Sequence, residues 1–168
     1  MNELPHFDSD GKSHMVDVGD KPITQRTAVA SGKVLLAATT LAMIRDRSVQ
    51  KGDVLELARV AGVMATKRTA DLIPLCHPLR VNSVEIQFAI PDEVSIEISA
   101  RVAATERTGV EMEALMAVSV AALTIYDMCK SIDRAIQITD IQLEHKSGGK
   151  SGAFNREKQT DLARPPIA

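Results

Sequence analysis

The fold is decided by the stretch VEIQFAIPDEVSIEISARV, residues 84–102. Apolar residues alternate with polar ones on both sides of the turn Pro91-Asp92-Glu93, which is the period of strands with one buried face. Two strands joined by so short a turn pair antiparallel. The centre of the chain is therefore predicted to be a hairpin of residues 84–90 and 94–102.

A long helix is predicted after this hairpin. Thr108-Gly109-Val110-Glu111 fits a capping box, and an apolar-rich segment continues from it to about Lys130. A last strand is predicted over residues 136–143, where the apolar phase slips between Ile138 and Ile141 as a β-bulge requires.

Before the hairpin, alternation predicts a strand over residues 23–29, and Leu35 to Asp46 looks helical. Asp53 is a good N-cap for a second helix that ends at about Arg68. The next stretch, residues 71–79, contains Pro74 and Pro78, which exclude a regular helix or a central strand. We predict a stiff, extended connector there.

This order of elements predicts an α+β fold of the ferredoxin-like type, βα(α)ββαβ, with an antiparallel sheet covered by helices on one face. We expect a mobile N-terminal segment (1–14), one catalytic domain (15–152) and a mobile C-terminal tail (153–168).

Composition narrows the class of protein. The 168 residues are 45% hydrophobic and 2% aromatic, with a net charge of −2, which is typical of one domain and unlike a nucleic-acid binder. Two cysteines form no disulfide framework, so we expect free thiols in a reducing compartment. Neither a signal peptide nor an unbroken apolar run of about 18 residues is seen, which predicts a cytoplasmic protein with no membrane partner.

The glycine-rich segment Lys146-Ser147-Gly148-Gly149-Lys150-Ser151-Gly152 is a candidate anion site, because bare backbone N–H groups can cradle a phosphate. It is not a Walker A loop, since Glu144 stands where that motif needs glycine and no helix follows. From the residues alone, a flexible exit from the last strand is as good an interpretation.

Asp127 and Lys130 share one face of the long helix. The same stripe includes, within about 40°, Glu113, Met116, Val120 and Leu123. A solvated pair on the last turn is the better interpretation of an isolated Asp-x-x-Lys. A partly buried pair would instead supply an acid and a base in one place.

Cys76 and His77 are weak candidates for a metal or thiol site. Neighbours in an extended chain point to opposite sides, and no Cys-x-x-Cys or His-x-x-x-His supplies further ligands. Pro74 and Pro78 nevertheless preset the backbone of this loop, which lowers the cost of presenting groups to a ligand. Burial as a small hydrophobe is the default interpretation of Cys76. Solvated charge is the default for Lys51 and Lys67.

Four segments together resemble the molybdenum cofactor biosynthesis protein C family. The resemblance spans about Met15 to Gly152 and is carried by residues 71–79 (DLIPLCHPL), 108–115 (TGVEMEAL), 121–130 (AALTIYDMCK) and 146–152 (KSGGKSG). The chain departs from the family pattern at Gly19 and Met116.

The resemblance implies a lyase that converts 3′,8-cyclo-7,8-dihydroguanosine 5′-triphosphate into cyclic pyranopterin monophosphate and releases diphosphate. It implies no redox cofactor, with magnesium at most accompanying the triphosphate, and a homohexamer built as a trimer of dimers. By the same resemblance Asp127 and Lys130 are the acid/base pair, with Lys51 a further catalytic candidate. The implied substrate contacts are Leu75, Cys76, His77, Met112 and Glu113, and the implied triphosphate contacts are Arg26, Lys67, Lys146 and Lys150.

Two other classes of protein stay open at this point. A nucleotide-binding regulatory module fits the same scaffold, since a fold alone does not fix function; substrate turnover separates it from an enzyme. A structural assembly protein would use the long helix only for oligomer contacts. In that case Lys51, Asp127 and Lys130 would tolerate alanine with little effect beyond local stability.

Overall fold

A computed structural model describes residues 10–156, which form five strands and four helices. In chain order these elements are β1 (Thr24–Leu35), α1 (Ala38–Arg45), α2 (Val54–Thr66), α3 (Thr69–Leu72), β2 (Val81–Ala89), β3 (Ser95–Glu106), α4 (Glu111–Cys129), β4 (Gln137–Ser147) and β5 (Phe154–Asn155). The sheet order is β2-β3-β1-β4-β5, with every pair antiparallel. Its first four strands have the ferredoxin-like order, which confirms the predicted fold class.

Strand β1 is the centre of the sheet. It pairs with β3 along its whole length, from Thr24 opposite Glu106 to Leu35 opposite Ser95, and with β4 on its other side. The prediction that helix begins at Leu35 was therefore wrong, since the strand continues to that residue. Hydrogen bonds to two neighbouring strands outweigh the local helical pattern of this stretch.

Helix α4 covers the sheet and forms the core with it. The inward residues of β1 and β3 and one face of α4 are at most 1% exposed, among them Ala28, Ala30, Val34, Ile96, Ile98, Ala117, Ala121 and Ile125. Burial of this apolar surface is the main stabilising term. By length and composition α4 would also suit a membrane span, and half of that stretch is buried inside the protein.

Helix α2 packs against α4 at Gly62, where there is no room for a side chain. A Cβ at Gly62 would stand 2.8 Å from the Ala117 carbonyl oxygen, so a larger residue would force the two helices apart. Close packing of this kind fixes the helix pair on the sheet. It thereby fixes the position of both ends of α4, where the candidate functional residues lie.

Strand β4 contains the predicted β-bulge. Ser31 pairs with Gln142 and Lys33 with Thr139, so β4 has one more residue than β1 between these two pairs. Asp140, which lies in this bulge, has a φ of 55°. The strand also runs on to Ser147, four residues beyond the predicted end. This extension brings the start of the glycine-rich segment into the sheet.

Short strand β5 lies within the predicted C-terminal tail. It pairs with β4, and the Arg156 amide donates to the Glu144 carbonyl at 2.8 Å. Residues 1–9 and 157–168 lie outside the described residues, so mobility of the two ends stays a prediction.

The predicted capping box at Thr108 was wrong. Helix α4 begins at Glu111, and the N-cap residue is Val110, with no side chain capping the helix. The carboxylate of Glu111 instead lies over Gly109 and faces Lys146. The Glu111 carboxylate thus forms an ion pair with Lys146 and does not cap the helix.

The predicted extended connector begins slightly later than expected. Asp71 and Leu72 complete the short helix α3, a turn follows at residues 73–75, and residues 76–80 belong to no helix or strand. Side chains of Leu75, Cys76 and His77 are half-buried there. The connector thus presents these three residues beside the first turn of α4.

Candidate functional site

Three of the predicted residues meet at the carboxyl end of α4. The Lys130 ammonium donates to Asp127 Oδ1 at 2.6 Å, and Lys51 Nζ lies 3.9 Å from Asp127 Oδ2. Lys51 also donates to the Asp127 backbone carbonyl at 2.8 Å. Since Lys51 comes from the loop before α2, the fold brings together a cluster that was only implied by resemblance. We call Lys51, Asp127 and Lys130 the lysine–aspartate cluster.

Both pKa shifts in the lysine–aspartate cluster strengthen the charged forms. The hydrogen bond and charge of Lys130, with a contribution from Lys51, lower the pKa of Asp127, and the same bond raises the pKa of Lys130. Their side chains are 61% and 52% exposed. In the single chain these groups form a solvated ion pair, which is the first of the two interpretations left open by the sequence.

A second group of predicted residues lines a pocket at the opposite end of α4. This pocket has a volume of about 410 Å³ and contains Leu75, Cys76, His77, Met112 and Glu113. Glu113 is only 3% exposed, and burial raises its pKa, with the charge of Glu111 acting in the same direction. Burial, followed by the charge of Glu113, also raises the pKa of the Cys76 thiol. We call it the carboxyl pocket.

Glu113 is expected to make stability fall as pH rises. Its pKa in the folded chain is raised, so the favourable protonated form is lost as pH rises from the ordinary glutamate range through the folded-state value. Glu113→Gln removes the ionisation and should flatten this dependence. The free energy of unfolding in urea is measured for both proteins at several pH values between 4 and 8. This range starts near the ordinary glutamate pKa of about 4.3.

Glu93→Gln is the matched control for that measurement, because Glu93 is exposed in the hairpin turn. It should leave the pH dependence of the wild type in place. Parallel curves for wild type and Glu113→Gln would contradict a raised pKa of Glu113.

A cationic pocket of about 400 Å³ adjoins the carboxyl pocket. Arg26 is 8% exposed and donates to the backbone carbonyls of Glu106 and Arg107, so its guanidinium is fixed in the wall. The walls contain the predicted residues Arg26, Lys146 and Lys150, with Lys21 and Arg107 in addition. Five cationic side chains around one depression favour an anionic ligand.

Two glycines allow the glycine-rich segment to close over Arg26. A Cβ at Gly149 would overlap the Arg26 guanidinium, and one at Gly148 would overlap the Gln25 carbonyl oxygen. Both glycines also have positive φ, of 79° and 95°. The segment is therefore held against β1, which favours the anion-site interpretation over a flexible exit.

Sequence reasoning missed Lys21 and Arg107. Arg107 donates to the Lys21 carbonyl at 2.7 Å and also to the Gly19 carbonyl, so it ties the segment before β1 to the end of β3. Neither residue belongs to a recognisable motif. The signal that would have found Arg107 is the pairing of Thr24 with Glu106, which puts the end of β3 beside Arg26.

The carboxyl pocket and the cationic pocket form one continuous surface. Both are lined by Lys21, Thr108, Gly109 and Glu111. Lys67 lines neither pocket: it lies in a neighbouring depression formed by the end of α2 and the start of β2, which shares Leu79 with the carboxyl pocket. The lysine–aspartate cluster is distant, since fourteen residues of α4 separate Glu113 from Asp127, roughly 21 Å along the axis.

These features define a class of protein: a ferredoxin-like α+β protein with an anion pocket, a buried carboxyl and a lysine–aspartate cluster. In residues 10–156, no group of three or more His, Cys, Asp or Glu side chains is placed to hold a metal ion. The chemistry available to these side chains is proton transfer and the neutralisation of phosphate charge.

Comparison with known sequences gives the particular family. The sequence pattern of the MoaC family matches residues 15–149, and the chain belongs to the MoaC family. It is 56% identical over 159 residues to the cyclic pyranopterin monophosphate synthase of Dinoroseobacter shibae, covering 94% of this chain and 100% of that protein. Enzymes of the same name from Heliobacterium modesticaldum (55%, covering 94% and 100%) and Streptomyces griseus (54%, covering 93% and 88%) are similarly close.

Proposed function

We propose that this chain is a lyase of molybdenum cofactor biosynthesis. It converts 3′,8-cyclo-7,8-dihydroguanosine 5′-triphosphate into cyclic pyranopterin monophosphate and releases diphosphate. The observation that carries this proposal is the continuity of the carboxyl pocket with the cationic pocket, through Lys21 and Glu111. The names of the relatives, all cyclic pyranopterin monophosphate synthases, support the same reaction.

The two pockets suit the two ends of such a substrate. The guanine-derived rings lie against Cys76, His77 and Glu113, and the triphosphate lies against Arg26 and Lys146. The reaction opens one ring, closes a pyran and forms a cyclic phosphate with diphosphate as the leaving group. These steps move protons and no net electrons, so we propose that no redox cofactor takes part and that any magnesium enters with the triphosphate.

Fixed positive charge is most useful where the leaving diphosphate gains negative charge. Arg26 is held by two backbone carbonyls and needs no reorganisation when the substrate binds. Lys146 and the exposed Lys150 add charge from β4 and the glycine-rich segment. Lys67 lies outside the cationic pocket of its own chain, in a depression that shares Leu79 with the carboxyl pocket, so it would reach the substrate from that side or from a second chain.

A second copy of the chain is needed to complete the site. One substrate does not span the roughly 21 Å between Glu113 and Asp127 on one helix. The surface between them is apolar: Leu123 on α4 is 57% exposed, and Leu57 and Met64 on the neighbouring α2 are 47% and 60% exposed. We propose that two chains cover this surface around a two-fold axis, which puts Glu113 of one chain beside Asp127 of the other.

We extend this pairing to the homohexamer, a trimer of such dimers, that the family resemblance implies. The proposed place of the reaction is the cytoplasm. Light scattering of the purified chain measures the assembly.

Turnover of the cyclised GTP intermediate tests the proposed function directly. Cyclic pyranopterin monophosphate and diphosphate should appear in equal amounts. A nucleotide-binding regulatory module would bind the intermediate and release it unchanged, which would contradict the proposal.

Removing one positive charge from the cationic pocket is expected to weaken substrate binding in a salt-sensitive way. Lys146→Gln and Lys150→Gln should each raise the dissociation constant at low salt, and the difference from wild type should shrink as salt screens the phosphate contacts. Titration calorimetry at two ionic strengths measures this. Lys12→Gln, outside both pockets, is the control, and unchanged binding in both pocket variants would return the glycine-rich segment to a structural role.

A further inference from the structure

A carboxylate lies inside the cationic pocket, where a phosphate-binding site would gain nothing from it. Glu111 Oε1 stands 3.7 Å from Lys146 Nζ, and the two side chains are 31% and 19% exposed. Glu111 also lines the carboxyl pocket, so it stands at the junction of the two. Its negative charge repels any phosphate that enters.

Lys146 differs from the two arginines of this pocket because its neighbour is a carboxylate, that of Glu111. Arg26 and Arg107 donate to backbone carbonyls, which carry no net charge. The Lys146 ammonium donates to the Ser151 hydroxyl and faces Glu111. A phosphate that approaches Lys146 must therefore compete with Glu111 for it.

The local backbone keeps Glu111 in this position. It is the first residue of α4, where the helix dipole favours a negative charge. Its carboxylate lies over Gly109, in space that any Cβ at that position would occupy. The glycine at 109 thus leaves room for the carboxylate of Glu111 to face Lys146.

We propose that Glu111 is an internal counter-ion of the anion pocket, which occupies Lys146 in the empty site and weakens the binding of diphosphate groups. This inference rests on the proposed function, in which diphosphate is the product that must leave. It adds a determinant of product release to that function. Diphosphate that has been cleaved from the substrate is held by the pocket alone, so competition from Glu111 acts on it fully.

Glu111→Gln tests the inference, because glutamine keeps the shape and removes the charge. Binding of inorganic diphosphate to the full chain, measured by titration calorimetry, should become roughly two- to fivefold tighter, the upper part of the range for one partly exposed charge contact. Inhibition of turnover by added diphosphate should strengthen by a similar factor. Glu93→Gln, the same charge change in the exposed hairpin turn, should leave both quantities at the wild-type value.

Tighter binding is a result that a merely structural role of Glu111 does not produce, since structural damage weakens a site. Unchanged or weaker diphosphate binding by a folded Glu111→Gln protein would overturn the inference and leave the proposed function intact. Failure of both the wild type and Glu111→Gln to bind diphosphate would also overturn the inference, whereas only the turnover measurement tests the proposed function. Thermal unfolding of each variant establishes that it is folded.

Discussion

Replacing Asp127 by asparagine, or Lys130 by alanine, is expected to lower kcat by about 100-fold or more in a protein that remains folded, the usual scale for loss of a proton-transfer group. The two side chains form a 2.6 Å ion pair at the end of an exposed apolar stripe. In the single chain their pKa values are shifted away from neutrality, Asp127 downward and Lys130 upward. Burial against a second chain disfavours both charges and moves the two values back toward the range useful for catalysis.

The i,i+3 pair of Glu56 and Arg59 on α2 provides the control for this prediction. It has a similar separation of 3.2 Å and lies outside the pockets and the lysine–aspartate cluster. Glu56→Gln should therefore leave kcat near the wild-type value. Rates close to wild type in folded Asp127→Asn and Lys130→Ala would remove the lysine–aspartate cluster from the mechanism and favour an assembly protein.

Two inactive variants are expected to restore activity when their subunits mix. Asp127→Ala leaves Glu113 intact and Glu113→Gln leaves Asp127 intact, so a mixed dimer has one complete site and one doubly defective site. With equal amounts and free exchange, half of the dimers are mixed, and activity should return to about a quarter of the wild-type value. Turnover measured before and after exchange of subunits gives the result.

The control mixture combines Asp127→Ala with Lys130→Ala. Both changes fall in the lysine–aspartate cluster, which one chain supplies whole, so no mixed dimer contains an intact cluster and no activity should return. Recovery in neither mixture, with exchange demonstrated by mass labelling and each variant inactive alone, would mean that each chain contains its own complete site.

The hairpin and the long helix could be predicted because short-range periodicity determines them. Across residues 84–102 two runs of alternating apolar and polar residues are separated by a turn, and this pattern indicates a β-hairpin. The end of β1 could not be predicted in this way, since its last residues are strand only because β3 and β4 pair with them. Similarly, the capping box at Thr108 failed because Lys146, from the other end of the chain, faces the Glu111 carboxylate.

The residues of the candidate site likewise differ in whether local sequence predicts them. Asp127 and Lys130 are neighbours on a helix, so their pairing follows from spacing alone. Arg107 is visible only after the sheet register is known, because its role is to bind the carbonyls of Gly19 and Lys21. Lys67 was grouped with the phosphate contacts by resemblance alone; in the structure it lines a depression beside the carboxyl pocket, and its role stays a prediction.

The pairing of β1 with β4 also limits the order in which parts of the protein can fold. Ser31 and Glu144, which are hydrogen-bonded across these strands, are separated by 113 residues of chain, and contacts between such distant segments form late and slowly. The anion pocket needs Arg26 from β1 and the glycine-rich segment after β4, so a partly folded chain has no place to bind a polyphosphate. If the proposed function holds, such ions bind only the folded protein, and they stabilise it by mass action without helping the chain to fold.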